Sequence, residues 1–210
     1  MPALKQAVEF SRNEDADTRT LVLDAAARLF STQGYAAVSL RDIAAAIGIK
    51  AGSLYYHFAS KDDLLAAVLN KGVQTVHEHV KAAVERLPAN ASPLKAIETA
   101  IIEHLQSVLE LHVYSLANIR IISQAPESVR MRVLPHRHAY EAFWMALFEQ
   151  GKKARLLRAG LDLGLVMRAL FSAMNGAIDW YRPDGALSAA EIGGRLANVF
   201  LMGIVKQGRK

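Results

Sequence analysis

Cysteine is absent from the 210 residues, which excludes a thiolate nucleophile, a Cys-ligated zinc or iron–sulfur centre and any redox disulfide. Long apolar runs are missing too. The most apolar stretch, around Leu161 to Tyr181, is interrupted by Asp162, Arg168, Asn175 and Asp179, whereas a bilayer span needs about 20 uninterrupted apolar residues. The N-terminal residues carry Lys5, Glu9, Arg12, Glu14, Asp15 and Asp17 where a signal peptide would be apolar. A soluble, cytoplasmic protein with no membrane partner is therefore expected. Strand signals are almost lacking, because β-branched runs with period-two alternation do not occur.

What is present is a chain with 52% hydrophobic and 21% charged residues, enough apolar material for a substantial core and too much for disorder. Apolar residues recur at spacings of three and four, so the fold class is all-α. The net charge is +5, yet none of it lies in residues 1–60. There Lys5, Arg12, Arg19, Arg28, Arg41 and Lys50 are matched by Glu9, Glu14, Asp15, Asp17, Asp24 and Asp42. Bulk charge is thus a weak argument for nucleic acid, and any such contact must come from local arrangement. The densest basic segment holds Arg130, Arg132, Arg137, Lys152, Lys153, Arg155 and Arg158 against Glu141 and Glu149.

A first helix is expected over 18–33, with Val22, Ala25, Ala26, Leu29 and Phe30 on one face and Gly34 as its stop. Ser39 and Asp42 stand in capping-box register for a second, short helix ending near Ile47. Gly48 permits a tight turn into a third helix over 51–58, and Ser60 with Asp63 repeats the cap before a long helix that ends ahead of Pro88. Residues 87–93 read as a linker. Helices follow around 94–108 and 113–122, and Pro135 is expected to break the segment 127–151. A final pair covers 162–181 and 188–206, the last capped by Ser188 and Glu191.

Two short helices joined by a glycine turn form a helix-turn-helix, whose second member enters the major groove. Its polar residues give it value: hydroxyls, tyrosines and cations are what phosphate and base-edge contacts use. The run Ser39-Leu-Arg-Asp-Ile-Ala-Ala-Ala-Ile-Gly-Ile-Lys-Ala-Gly-Ser-Leu-Tyr-Tyr-His-Phe-Ala-Ser-Lys61 resembles the DNA-binding signature of the TetR family of bacterial transcriptional regulators. The resemblance covers about 18–65; the rest matches in size and helicity. It implies residues 1–17 as a flexible arm, 18–65 as the DNA-binding domain and 66–210 as an effector-binding and dimerisation bundle. It further implies a homodimer on a palindromic operator in double-stranded DNA, nucleoid-associated when bound.

By position, the resemblance makes Ser39 and Arg41 phosphate or base neighbours and Ser53 and Tyr55 base readers. Tyr56, His57 and Lys61 become phosphate contacts, and Gly52 joins the DNA-binding set. Leu40, Ile43, Leu54 and Phe58 would be core. Where the family often caps the recognition helix with Ser or Thr, this chain has Lys50, which cannot cap but can reach a phosphate. The bland alternative for Tyr55 and Tyr56 is burial against the first helix. Arg12 or Arg19 could enter a minor groove, although the acids around them favour a plain tail.

No catalytic constellation appears in the second half, so no enzyme and no cofactor are expected. His77/His79 and His136/His138 sit two apart, which points their rings about 200° apart on a helix, so no metal site is expected either. Isolated polar groups in an apolar bundle suit a ligand pocket. They include His104, Tyr114 and Glu141, and the ligand candidates are His112, Asn118, Arg120, Arg137, Tyr140, Trp144, Asn175 and Trp180. The segment from Asn175 to Gly185 is similar to TetR-family members that control lipid, fatty-acid or steroid breakdown, which often respond to acyl-coenzyme A thioesters. The small residues Ala169, Ala173, Gly176, Ala177, Gly193, Gly194 and Ala197 make the last two helices the expected intersubunit interface. The expected function is a ligand-responsive repressor. The alternative is a helical adaptor that has lost specific operator binding.

Overall fold

Serine caps and glycine turns punctuate a chain that folds almost wholly into helices. The computed structural model describes residues 2–110 and 112–206. In chain order the helices are α1 (Pro2–Gln33), α2 (Leu40–Ala46), α3 (Ala51–His57), α4 (Lys61–Glu85) and α5 (Pro93–Glu110). Then come α6 (His112–Ile121), a 3₁₀ turn over Ile122–Gln124, α7 (Glu127–Lys153), α8 (Leu163–Trp180) and α9 (Ala189–Ile204). Among the described residues there is no strand, and β pairing is limited to an isolated bridge between Leu157 and Val205. None of the described helices is long and apolar enough to cross a membrane.

The helix starts follow local chemistry. Ser39 Oγ accepts from the Asp42 amide at 3.2 Å while Asp42 Oδ2 accepts from the Ser39 amide at 2.8 Å, closing a capping box on α2. Ser188 and Glu191 do the same for α9, and the Ser60 hydroxyl accepts from the Asp63 amide at 3.0 Å at the head of α4. Each cap satisfies amides that the first turn would otherwise leave unbonded. Gly48 takes φ +73, a left-handed conformation that a residue with a side chain rarely adopts, and so turns α2 into α3.

The chain divides into two compact units, neither continuous in sequence. The first comprises Met1–Gly72 and Leu116–Val133, the second Val73–Ser115 and Leu134–Lys210. The partition therefore differs from the expected boundary after residue 65. In the first unit Val22, Ala26, Phe30, Ile43, Leu54, Leu64 and Leu69 are buried, as are Ile121, Val129 and Val133 from the later segment. Asn118 Nδ2 donates to the Leu69 carbonyl at 2.9 Å, and Arg132 Nη1 to Asp63 Oδ1 at 2.6 Å, both tying the later segment to α4. In the second unit Ile97, Ile101, Leu105, Trp144, Phe148, Leu170, Met174 and Ala197 are buried.

Three expectations are corrected. The first helix begins at Pro2, so the backbone of 2–17, expected as a flexible arm, continues α1. The break at Pro135 does not occur: α7 runs through it. Pro135 is exposed, and the carbonyl it cannot bond belongs to Met131, itself 56% exposed, so water can take that acceptor. Buried Val129 and Val133 before the proline, and Tyr140, Trp144 and Phe148 after it, hold the helix on both sides. Gly193, expected between subunits, is buried within the second unit. A Cβ there would lie 3.0 Å from Ile102 Cα, so α9 packs on α5 more closely than a larger residue would allow without a shift of a few tenths of an ångström.

Candidate functional site

The α2–turn–α3 segment separates its residues cleanly. Leu40, Ile43, Leu54 and Phe58 are buried, as expected of core positions. Ser39, Arg41, Lys50, Gly52, Ser53, Tyr55 and Tyr56 are exposed, and His57 and Lys61 are half-buried. Tyr55 is 56% and Tyr56 78% exposed, so burial against α1 is not what holds them. A short helix that buries one leucine and turns two tyrosines to solvent presents amphipathic rings with free hydroxyls to a partner.

Around this surface the charges are arranged by neighbours. The Asp42 carboxyl is held below its usual range by hydrogen bonds from the Ser39 side chain and amide, so it stays an acceptor at the head of α2. Lys61 Nζ sits 4.1 Å from the Tyr35 ring centroid, a cation–π contact, and burial lowers its pKa. The Tyr35 hydroxyl hydrogen-bonds Asp62 and is pushed up by burial and by that partner. Arg19 lies 5.1 Å from the Phe58 ring centroid, so this arm candidate packs on the domain; the side chain of Arg12 lies outside the described residues.

Lys50 occupies the N-cap of α3 with φ −71 and ψ 140 and makes no side-chain cap bond. An ammonium has no lone pair to offer the orphan amides, so the position is spent on charge. Lys50→Ser is expected to raise stability by about 0.5–1 kcal/mol while weakening DNA affinity and reducing the salt slope. Denaturation and a salt-series titration would check the two signs; a gain in both would remove Lys50 from the phosphate contacts.

The ligand candidates separate. Tyr140, Trp144 and Asn175 come together in the second unit around His104, which appeared in sequence only as one isolated polar residue. His104 Nδ1 is 2.8 Å from the Tyr140 hydroxyl and His104 Nε2 is 3.4 Å from Asn175 Oδ1. Phe171, which sequence reasoning missed, stands edge-on to the His104 ring at 5.2 Å and to Trp144 at 5.5 Å. His77 sets its ring, tilted by 33°, 5.0 Å from that of Tyr140. Asn118 and Arg120 belong to the first unit, where Asn118 braces α4. Trp180 is 58% exposed. Arg137 is half-buried, with its pKa lowered by burial and supported by Glu141. The side chain of His112 lies outside the described residues.

The basic segment 130–158 is divided between the two units. Arg130 and Arg132 lie in the first unit and pair with Glu127 and Asp63, whereas Lys152 bonds Glu149 and Arg158 Nη1 donates to the Gly203 carbonyl at 3.0 Å. Among the described residues no three metal-ligating side chains converge; His79 pairs with Glu103 and His136 with Gln74.

Burial depresses the His104 pKa to about 4 from an ordinary 6.5. Because the folded value lies below the unfolded one, this neutral imidazole adds its full stability above pH 6.5 and loses it as pH falls towards 4. The loss amounts to about 3 kcal/mol over that window. Melting curves should therefore fall steeply between pH 6.5 and 4, before the carboxylates Asp42, Asp63 and Glu191 are protonated, and His104→Gln should flatten that interval. An unchanged slope would remove His104 as its source.

Comparison with known proteins covers both halves. A sequence profile described as "Bacterial regulatory proteins, tetR family" matches residues 22–68, and one described as "Tetracyclin repressor-like, C-terminal domain" matches residues 90–204. The HTH-type transcriptional repressor KstR2 of Mycobacterium tuberculosis is 29% identical over 192 residues, covering 89% of this chain and 92% of the relative. The solved structure of that organism's ketosteroid transcriptional regulator KstR2 superposes with TM-score 0.77 at 26% identity, over 90% of this chain and 96% of that one. AibR, solved with isovaleryl coenzyme A and operator DNA, shares the fold with TM-score 0.76 at 22% identity, over 86% of this chain and 96% of its own.

Proposed function

Because the chain belongs to the TetR family of bacterial regulatory proteins and is a DNA-binding transcriptional regulator rather than an enzyme, we propose that it is a homodimeric repressor released from a palindromic operator by a hydrophobic effector of acyl-coenzyme A type. One observation carries the DNA side: α3 buries Leu54 and leaves Ser53, Tyr55 and Tyr56 exposed beside a capped α2. Ser39, Arg41, Lys50, Gly52, His57 and Lys61 complete the reading surface. Two such helices, one per protomer, must lie about 34 Å apart to enter successive major grooves.

The protomers join through the outer faces of α8 and α9. Leu165, Trp180, Val199 and Met202 are exposed there at 58–68%, and Gly176 and Gly194 have nothing within 4 Å of an added Cβ. The neutral core around His104 takes the effector's apolar part, and Arg137 meets its anionic part. KstR2, a ketosteroid regulator, and AibR, bound to an acyl-coenzyme A, support this ligand chemistry. Moving the DNA-competent population from 99:1 to 1:99 requires about 5.5 kcal/mol of differential affinity between conformations.

Fluorescence anisotropy on DNA from upstream of the protein's own gene tests the reading, across a salt series and with a panel of acyl-coenzyme A thioesters. Tight, steeply salt-dependent binding released by one thioester is the expected result. Affinity equal to that for random duplex would favour the adaptor reading, for which the neutral N-terminal segment and the uncapped Lys50 speak. Arg137→Glu should weaken the thioester at least tenfold, about 1.4 kcal/mol, with DNA affinity in its absence unchanged; equal losses in both would mean misfolding.

A further inference from the structure

The side chains in the middle of the second unit form a hydrogen-bond chain from Tyr140 through His104 to Asn175, and the Asn175 oxygen facing His104 gives it a direction. Asn175 Oδ1 can only accept, so His104 carries its proton on Nε2 and donates across 3.4 Å. Nδ1 of the neutral ring then has a lone pair to offer, and the Tyr140 hydroxyl donates to it at 2.8 Å. Burial keeps this imidazole uncharged at neutral pH, so the assignment holds without a proton to spare. The Tyr140 oxygen is left as an acceptor, and the indole N–H of Trp144 is the donor beside it, although it makes no hydrogen bond of good geometry. The protons of Tyr140 and His104 both point towards Asn175.

The unused capacity therefore collects at one end, as the two N–H donors on Asn175 Nδ2, which have no partner among the described residues. Asn175 is half-buried. One turn before it on α8 stands the half-buried ring of Phe171, set edge-on to His104, Trp144 and Tyr140 with centroids 5.2, 5.5 and 5.8 Å away. Whatever meets the carboxamide lies beside an aromatic wall. Among the described residues no lysine or arginine is buried, so a carboxylate or phosphate entering this core would lose its hydration with no cation to replace it. A carbonyl oxygen accepts two hydrogen bonds and carries no charge to desolvate.

We infer that the Asn175 carboxamide, held by His104 and Tyr140, is the docking point for an uncharged carbonyl, a ketone, lactone or thioester oxygen, on an otherwise apolar ligand. This rests on the reading of the chain as a ligand-responsive regulator and narrows the class of its ligand. His104 and Tyr140 are positioning residues: they orient the amide so that its donors face outward. A carboxylate finds its counter-charge at the half-buried Arg137 and not at Asn175.

Calorimetric titration of the full chain with 2-decanone and with decanoate tests the inference, alongside the two indole N–H resonances that its two tryptophans give in a ¹⁵N-correlated NMR spectrum. The Trp144 resonance is identified by its loss in Trp144→Phe. The ketone should bind about tenfold more tightly than the carboxylate and shift the Trp144 resonance but not that of Trp180. Asn175→Asp keeps the oxygen that His104 bonds and removes the donors, so ketone affinity should fall about fivefold or more; Asn175→Leu should do the same. Decanoate binding as tightly as the ketone, ketone affinity unchanged in Asn175→Asp, or no ketone binding to the unaltered chain would each overturn the inference. The ketone-against-carboxylate comparison needs no variant and stands if either substitution fails to fold. Operator anisotropy on the same samples separates the two readings: release by a thioester with no ketone preference leaves the regulator and removes the carbonyl site.

Discussion

Tyr55→Ala is expected to abolish specific operator binding while leaving the protein folded. The ring is 56% exposed, so truncation removes little buried surface and the melting temperature should barely move. A side chain reading a base edge contributes about 1–3 kcal/mol, and a dimer loses that contact in both half-sites. Affinity should therefore fall by about 2–6 kcal/mol, thirtyfold at the least, converging on the value for random duplex. Anisotropy at fixed salt measures it, with circular dichroism as the check on folding. Retained affinity would pass the base-reading role to Ser53 and the more exposed Tyr56. A loss shared equally by specific and random DNA would make Tyr55 a phosphate contact instead.

The largest stability effect is expected at Trp144, which is fully buried. Its indole lies 6.1 Å from His104, 6.2 Å from both Tyr140 and Phe148, and 5.5 Å from Phe171, centroid to centroid. Trp144→Ala removes this shared surface and leaves a cavity that four rings on three helices cannot collapse to fill, a cost of about 3–5 kcal/mol. That is a fifth or more of a typical domain's stability, about 5–15 kcal/mol. Trp144→Phe should recover most of it, because the lost N–H makes no hydrogen bond of good geometry. Urea denaturation would measure both, and a cost below 1 kcal/mol for the alanine variant would mean that the cluster is loosely packed.

The sequence was most legible where the physics is local. The boxes Ser39/Asp42 and Ser188/Glu191 set helix starts that the structure reproduces, since a cap depends on residues three apart. The helix-turn-helix was legible for the same reason, including Lys50 as a position without a cap. Pro135 misled because a proline's cost depends on where its orphaned carbonyl points, and Met131 faces solvent. The site in the second unit was legible only in part: Tyr140, Trp144 and Asn175 were picked out by type, but His104 became their hub through partners 36 and 71 residues away. No spacing pattern encodes such a meeting. Asn118 has the same chemistry as Asn175 and does other work, bonding the Leu69 carbonyl. The basic stretch 130–158 looked continuous because sequence lists neighbours, while the fold divides them between units.

That division bears on how the protein can be taken apart. The unit that carries α2 and α3 also contains Leu116–Val133, so a gene fragment ending at residue 72 would not encode it. Such a fragment would lose the Asn118 amide from the Leu69 carbonyl and the Arg132 guanidinium from Asp63. It would also lose Ile121, Val129 and Val133, which are buried within that unit. A chimaera that grafts this DNA reader onto a foreign sensor bundle must therefore import two stretches of chain, and a splice at the apparent linker alone would yield a reader without its brace.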